Sequence, residues 1–297
     1  MPRSNAAIYS ALAANVAIAV AKFVAGGISH SSAMIAEGVH SLVDTVNELL
    51  LLYGIARSDK ERDERHPFGY GRELYFWSFI VAILIFGLGA GVSFYQGYIH
   101  LKRPAELRDL GWNYAVLGFS LVCDGGAFII TWRQFRKTIG DRNWWQAVKA
   151  SKDPTDFIVL FEDGAAVVGI LVVFALLWIG ERTKNPYLDG VASLLVGCIL
   201  TVASAVLVRE SRSLLIGEGI SAKTEQEIRG LVEQVSDGSK VKRVFSLYQA
   251  PDEVLLVLIV DFPSDLSTDK ISESIGRVRD RIKGQYPKIA YVVIQPE

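Results

Sequence analysis

Apolar residues fill the N-terminal part of the chain in stretches long enough to cross a lipid bilayer. A membrane-spanning helix needs about 20 mostly apolar residues. Six segments reach that length, at residues 6–28, 33–56, 74–99, 112–132, 157–179 and 187–208. The pattern predicts an α-helical membrane domain of six transmembrane helices over residues 1–208.

After residue 208 the pattern changes to short periodic segments. Apolar residues at helical spacing predict two helices, and alternating or continuous apolar runs predict three strands. In chain order these are a helix at 222–234, strands at 241–249 and 254–262, a helix at 268–286 and a strand at 289–294. The order α-β-β-α-β is typical of helices packed on one sheet, so we expect a separate α/β domain over residues 209–297.

The composition agrees with a membrane protein. Hydrophobic residues make up 51% of the chain, charged residues only 21%, and the mean hydropathy is +0.29, which is more apolar than a typical soluble domain. The formal net charge of -1 gives no indication of a nucleic-acid binder with a basic face, so we expect no nucleic-acid partner. The two cysteines lie inside apolar runs, so their spacing supports neither a disulfide framework nor a thiolate zinc site.

Positive charges in the loops predict the orientation of the chain in the membrane. They concentrate in the loops after the second and fourth spans, at Arg57, Lys60, Arg62, Arg65, Arg72, Arg133, Arg136, Lys137, Arg142, Lys149 and Lys152. We therefore expect both termini in the cytoplasm. The N-terminus leads into an apolar run with no cleavage site, which favours a first transmembrane helix over a signal peptide and a prokaryotic plasma (inner) membrane as the location.

Polar side chains interrupt the second span more than any other. Glu37, His40, Asp44, Asn47 and Glu48 share this segment, and a charge at mid-bilayer costs about 2.5–3.5 kcal/mol. The spacing of four places His40 and Asp44 on one helix face. We interpret the stripe as a cation path that Glu37 and Glu48 extend toward the two membrane surfaces.

The fifth predicted span contains two adjacent acids, Glu162 and Asp163. Neighbours on a helix point about 100° apart, so at most one of them faces the second span squarely. We choose Asp163. Asp156 lies seven residues earlier, at the cytoplasmic mouth, and either extends the ion path or begins the helix after Pro154.

One histidine nitrogen with two carboxylates suits Zn²⁺, and Fe²⁺ or Mn²⁺ accept the same ligands. Histidine titrates near pH 6.5 in its unperturbed form, so metal and protons compete for His40. A structural His40–Asp44 pair that holds helices together is the alternative.

Other intramembrane polar residues have two open interpretations. Lys22, Asn15 and Asp124 either line the ion path or pack helices together, and the Lys22 side chain alternatively snorkels to the membrane surface. Asp189 follows Asn185 and Pro186 at the start of the sixth predicted span, and we interpret it as an N-terminal cap or dipole partner of that helix.

Three motifs carry a resemblance to a known family. They are EGVHSLVD at 37–44, HPFGYGRE at 66–73 and PYLDGVAS at 186–193, and together they resemble the cation diffusion facilitator family. The segments SKDPT at 151–155 and FEDGA at 161–165 are similar to the branch that contains the mitochondrial-type zinc transporter.

The resemblance implies a proton-coupled divalent metal antiporter that works as a homodimer by alternating access. The C-terminal domain would be ferredoxin-like, or metallochaperone-like, and serve as a dimer contact. The family builds its transport site from two pairs of residues, four apart in each pair. His40 and Asp44 match the first pair and Asp163 matches half of the second, but its partner position holds Val159, which binds no metal. Glu162, Asn47 or water would complete the site.

The resemblance also bears on two accessory metal sites. The family's loop site uses an acid and two histidines. Here Asp63 and His66 are present, but Tyr70 takes the last place, so a weak or absent site is expected. Paired zinc ions in the cytoplasmic domain are not expected, because all four histidines lie at or before His100.

Three functions follow, in order of preference. The first is Zn²⁺/H⁺ antiport out of the cytoplasm, with zinc as the transported substrate and no permanent cofactor. The second is export of Fe²⁺ or Mn²⁺ by the same mechanism, and the third is a non-transporting dimeric scaffold with a degenerate site. An enzyme is least favoured, because the sequence contains neither a nucleophile beside a base nor a cofactor motif.

Overall fold

A computed structural model describes residues 5–105, 109–139, 144–235 and 238–297. Most of the chain is helical up to residue 216. The helices are α1 (Asn5–Ser29), α2 (Ser32–Ser58), α3 (Arg72–Leu84), α4 (Gly91–Lys102), α5 (Leu110–Ile139), α6 (Trp144–Ala150), α7 (Pro154–Thr183) and α8 (Tyr187–Ile216).

Four helical stretches in the described part of the chain are long and apolar enough to cross a membrane: Arg72–Lys102, Leu110–Lys137, Phe157–Thr183 and Tyr187–Ile216. They coincide with the third to sixth predicted spans. Helix α2 has the length of a span, but the charged residues of the polar stripe lower its hydropathy. The helical membrane domain is confirmed, and the count of six spans stays a prediction.

The third predicted span is not one regular helix. A π-helical turn, Ile85–Ala90, separates α3 from α4. The local sequence IFGLGA holds two glycines that weaken the regular helix. π-helical turns inside α-helices are often found at functional sites, and the hydrophobic pattern did not predict this one.

Helix α2 begins at a buried carboxylate supplied by α8. Asp189 accepts hydrogen bonds from the Ser32 backbone N–H at 2.6 Å and the Ser32 hydroxyl at 2.7 Å, and it also accepts one from the Ser31 hydroxyl. His100 Nδ1 lies 3.6 Å from the same carboxylate. Asp189 was predicted to cap its own helix at the start of the sixth span, but its carboxylate caps α2 instead. The negative charge also stabilises the positive end of the α2 dipole.

The chain divides into two compact units. The first comprises residues up to Ile55 together with Phe76–Ser211, and the second comprises Ala56–Tyr75 together with Arg212–Glu297. The loop after the second predicted span thus groups with the C-terminal residues. The assignment of a transport domain over 1–208 and a dimerisation domain over 209–297 stays a prediction.

The C-terminal part of the second unit follows the predicted order of elements. It contains α9 (Ala222–Val235), β1 (Lys240–Ala250), β2 (Glu253–Asp261), α10 (Thr268–Gln285) and β3 (Ile289–Pro296). The sheet order is β1-β2-β3, with β1 antiparallel and β3 parallel to β2.

One face of this sheet packs on the two helices. The alternate β2 residues Val254, Leu256, Leu258 and Val260 form a core with apolar side chains of α9 and α10. Alternation along β2 thus separates a helix-covered face from a second face.

The Ala56–Tyr75 segment lies against the C-terminal elements of its own unit. Arg62 forms an ion pair with Glu253 at 3.0 Å, and its guanidinium lies 5.0 Å from the centre of the Tyr291 ring. Phe68 packs edge-on against the same ring at 5.2 Å. The loop that joins α2 to α3 is therefore packed against the sheet of this unit.

Candidate functional site

A row of polar side chains runs along α2, one on each successive turn. Glu37, His40 and Asn47 are buried and Asp44 is half-buried. Within the described part of the chain, Glu37 Oε1, His40 Nε2 and Asn47 Oδ1 are buried without a hydrogen-bond partner. Unsatisfied buried polar atoms are rare because they cost free energy. Glu37, His40 and Asn47 each keep such an atom on the same helix.

His40 and Asp44 form a pair, as their helical spacing predicts. His40 Nδ1 lies 3.2 Å from Asp44 Oδ1. A carboxylate on one imidazole nitrogen holds the ring in place and leaves the other nitrogen for a metal ion or a proton. The remaining nitrogen, Nε2, is the buried atom without a partner.

The two adjacent acids of α7 face different helices. Glu162 Oε1 accepts a hydrogen bond from Asn47 Nδ2 of α2 at 2.6 Å. Asp163 Oδ2 accepts one from Thr131 Oγ1 of α5 at 3.0 Å. Asp44 interacts electrostatically with both acids. Glu162 therefore touches the polar stripe, whereas Asp163, our choice of metal ligand, is held by α5.

The predicted ligands are not gathered around one point in this structure. No group of three or more His, Cys, Asp or Glu in the described residues is placed to hold a metal ion. Val159 is 36% exposed on α7. A metal site from His40, Asp44 and an α7 acid therefore requires a shift of α7 relative to α2, or new rotamers of the acids.

The end of the stripe near the start of α2 is occupied by a lysine from α1. Lys22 Nζ lies 3.0 Å from Glu37 Oε2, donates to Ser41 Oγ at 2.8 Å and lies 4.0 Å from Asp124 Oδ2 of α5. The Lys22 side chain has no exposed surface. The expectation that it snorkels to the membrane surface is wrong, because three polar groups hold it inside the bundle.

The opposite end of the stripe carries Glu48. Asn15 Nδ2 of α1 donates to Glu48 Oε2 at 3.3 Å. On α7 the helix start is capped by Asp153, which accepts from the Thr155 N–H at 3.0 Å. Asp156 lies in the first turn of that helix, and its side chain is outside the described residues.

In the second unit, the residues of the predicted loop site form a hydrogen-bonded cluster. Asp63 Oδ1 accepts from the His66 N–H at 2.8 Å and lies 3.2 Å from His66 Nδ1. The Tyr70 hydroxyl donates to the other oxygen, and Lys60 Nζ lies 3.6 Å from it. The Tyr70 hydrogen bond holds the pKa of Asp63 well below its usual range. Protein donors thus occupy the carboxylate oxygens.

Three residues that contact the polar side chains of the site were not predicted from the sequence. Ser41 binds Lys22, Thr131 binds Asp163, and Gly169 of α7 leaves room for Glu37, since a Cβ there would lie 2.8 Å from Glu37 Oε1. Hydroxyl groups and glycines are common in membrane helices as packing residues. Of the three, only Ser41 could have been found from the sequence, because it lies one helical turn after Glu37.

Comparisons with known proteins place these residues in a family context. The sequence profile of the cation efflux transmembrane domain matches residues 8–216. The chain is 36% identical over 214 residues to a Xenopus laevis protein named proton-coupled zinc antiporter SLC30A9, mitochondrial. That match covers 71% of this chain and 38% of the relative.

Two further relatives are named for metal tolerance and for manganese efflux. An Arabidopsis thaliana protein named metal tolerance protein C4 is 32% identical over 259 residues, which is 85% of this chain and 54% of the relative. The Bacillus subtilis manganese efflux system protein MneS is 21% identical over 275 residues, or 93% of this chain and 89% of its own length. The chain spans less than half the length of the mitochondrial antiporter that it matches.

Proposed function

This chain belongs to the cation diffusion facilitator family, in the branch of the mitochondrial-type zinc transporter, and we propose that it exports Zn²⁺ from the cytoplasm in exchange for protons. The observation that carries the proposal is the row of buried polar side chains on α2. Glu37, His40 and Asn47 each keep an unsatisfied buried atom. A stripe that only packed helices together would satisfy these atoms with protein partners.

The order of zinc binding follows from which ligand atoms are already hydrogen-bonded to protein groups and which are not. Zinc from the cytoplasm would bind His40 Nε2 and the Asp44 carboxylate, with Asp163 as the third ligand. Asp163 must then exchange its hydrogen bond from Thr131 for the ion. Glu162, Asn47 or water supplies the fourth ligand, which matches the tetrahedral preference of zinc.

Proton coupling requires no further residue. The nitrogen and the carboxylates that bind zinc are the same atoms that bind protons, so the two cargoes exclude each other. Zinc binding releases protons to the cytoplasm. Protonation of His40 and the carboxylates from the far side discharges the ion, and rocking of the bundle alternates the access.

Export of Mn²⁺ or Fe²⁺ is the second candidate. Val159 provides no ligand on α7, and the neighbouring groups, Glu162 and Asn47, offer oxygen atoms. Oxygen-rich sites suit Mn²⁺ better than zinc. The match along most of the length of a manganese efflux protein is consistent with this candidate.

The proposal includes the architecture that transport needs. Helices α1 and α2 would complete a set of six spans, with both termini in the cytoplasm. The C-terminal domain would be ferredoxin-like and join two copies of the chain.

Phe245 and Val293 support a dimer contact between the two copies. They lie in one row across the sheet, on either side of Val257, and they are 54% and 50% exposed. We propose the prokaryotic plasma membrane as the location, which the long match to a Bacillus subtilis protein supports.

Metal uptake into proteoliposomes tests the proposal. Purified chain would be assayed with Zn²⁺, Mn²⁺ and Fe²⁺ in turn, and His40→Ala would be compared with His30→Asn. His30 is exposed and has a left-handed backbone with φ 57°, a conformation that Asn tolerates, so it is a matched control. We expect zinc uptake in the control and none in His40→Ala. Uptake that is fastest with manganese would favour the second candidate.

A further inference from the structure

We propose that Lys22 is a tethered cation that occupies the Glu37 carboxylate, and that the transported ion displaces it when it moves outward from His40. This inference rests on the proposed function, since it assigns a step of the same path. Lys22 would be a positioning residue, because it acts on the ion through Glu37.

The first support is the burial of the ion pair. Lys22 and Glu37 both have 0% exposed side-chain surface, and Nζ lies 3.0 Å from Oε2. Removing two charges from water costs free energy that the attraction between them only partly offsets, so a packed apolar pair stabilises a protein about as well. Charges inside membrane domains are rare and usually functional. A role beyond packing is therefore expected.

The second support is the place of the ammonium on the stripe. Lys22 bridges Glu37 and Ser41, with 2.8 Å from Nζ to Ser41 Oγ. These two residues are one helical turn apart on α2, and His40 directly precedes Ser41. The ammonium thus lies level with His40 and beside Glu37, on the route of an ion that moves from His40 to Glu37.

The third support is a second carboxylate within reach. Lys22 Nζ lies 4.0 Å from Asp124 Oδ2 on α5, and the Asp124 side chain is 21% exposed. When an ion binds Glu37, the ammonium can move to Asp124 and keep a negative partner. Glu37 is therefore paired with either the ammonium or the transported ion at every step. This avoids the cost of an uncompensated buried charge.

The fourth support is the unsatisfied oxygen of Glu37. Oε2 holds Lys22, but Oε1 is buried without a partner among the described residues. It points to Gly169 of α7, where a Cβ would lie 2.8 Å from it. Because α7 also carries Glu162 and Asp163, an ion that leaves these acids can reach Oε1 between α2 and α7.

The experiment measures zinc transport by the full chain in proteoliposomes as a function of zinc concentration. Lys22→Gln keeps a hydrogen-bond donor but removes the charge, so Glu37 would retain zinc. We expect the half-saturating zinc concentration and the maximal rate both to fall by about tenfold, the effect of about 1.4 kcal/mol on binding. Lys22→Arg should restore the rate, and the exposed Lys184→Asn is the control.

Several outcomes would overturn the inference. Lys22→Gln with unchanged kinetics would do so, as would a lower rate without a lower half-saturating concentration, since that pattern marks a merely structural lysine. If Lys22→Gln does not fold, Gly169→Ala decides the matter, because its methyl group obstructs Glu37 Oε1 while Lys22 stays in place. We expect a lower maximal rate, and wild-type transport by Gly169→Ala would refute the role of Glu37. Absence of transport by the wild type would instead refute the proposed function.

Discussion

Asn47 on α2 and Glu162 on α7 meet directly, with 2.6 Å between the side-chain amide nitrogen and the carboxylate oxygen. The contact turns Glu162 toward the polar stripe and leaves its neighbour, Asp163, beside Thr131 of α5. The two acids therefore have different surroundings although they are adjacent in sequence. Their roles can be separated by substitution.

Asp163→Asn should abolish zinc binding, because it removes one of three proposed protein ligands. Glu162→Gln should weaken binding by about tenfold, since the amide oxygen still accepts from Asn47 but the negative charge is lost. Calorimetric zinc titration in detergent measures both, with Thr131→Val as the control that releases Asp163 without removing it. Normal binding by Asp163→Asn together with none by Glu162→Gln would assign the ligand role to Glu162.

Acidification tests the Asp63 cluster in the Ala56–Tyr75 segment. The Tyr70 hydroxyl lowers the pKa of Asp63, so the carboxylate contributes stability above its unfolded pKa of about 3.9 and loses that contribution only as pH falls through the folded value. Loop protection in hydrogen exchange should therefore be equal at pH 7 and pH 5.

In Tyr70→Phe the pKa of Asp63 should rise toward its usual range, which NMR titration of the carboxyl carbon would detect. An unchanged Asp63 titration in the variant would refute the role of Tyr70.

Removal of the Asp189 cap should destabilise the membrane domain. The carboxylate accepts hydrogen bonds from Ser31, Ser32 and the Ala33 N–H in a buried place. Asp189→Ala leaves those donors unsatisfied, so we expect a loss of about 2–4 kcal/mol. Asn185 is an exposed counterpart that accepts from the Tyr187 N–H, and Asn185→Ala should cost about 0.5–1 kcal/mol. Equal losses in a thermal unfolding assay would contradict the cap assignment.

Charge in the exposed apolar row of the sheet should dissociate the proposed dimer. Phe245→Asp places a carboxylate in a row with Val257 and Val293, where a dimer contact would bury it unpaired. Light scattering of detergent-solubilised protein should then report a monomer. Lys240→Asp changes charge at the exposed start of β1 and serves as the control. If the wild type is a monomer, or if Phe245→Asp is still a dimer, the proposed interface is wrong.

Features set by local sequence could be predicted, because they depend on spacing alone. The second strand was expected at 254–262 and lies at Glu253–Asp261. The contact between His40 and Asp44 follows from a separation of one helical turn. The continuous apolar run of β2 predicted a strand, but every position of that run is apolar, so only the fold showed which alternate residues face the helices.

Features set by packing between distant segments could not be predicted. Asp189 caps a helix that begins 157 residues earlier, and a cap in sequence is normally sought beside its own helix. The partners of Glu162 and Asp163 depend on the rotation of α7 about its axis, which no local pattern specifies. The charge of Lys22 was visible in the sequence, but its partner Glu37 lies on the next helix and emerged only from the fold.

In the proposed mechanism, zinc and protons compete for the His40 and Asp44 side chains. Zinc uptake and luminal pH, recorded together in proteoliposomes of wild type, His40→Ala and Asp44→Ala, test it most directly. We expect proton movement opposite to zinc in the wild type, and loss of both fluxes in each variant. Zinc flux without proton flux in the wild type, or coupled fluxes that persist in either variant, would contradict it.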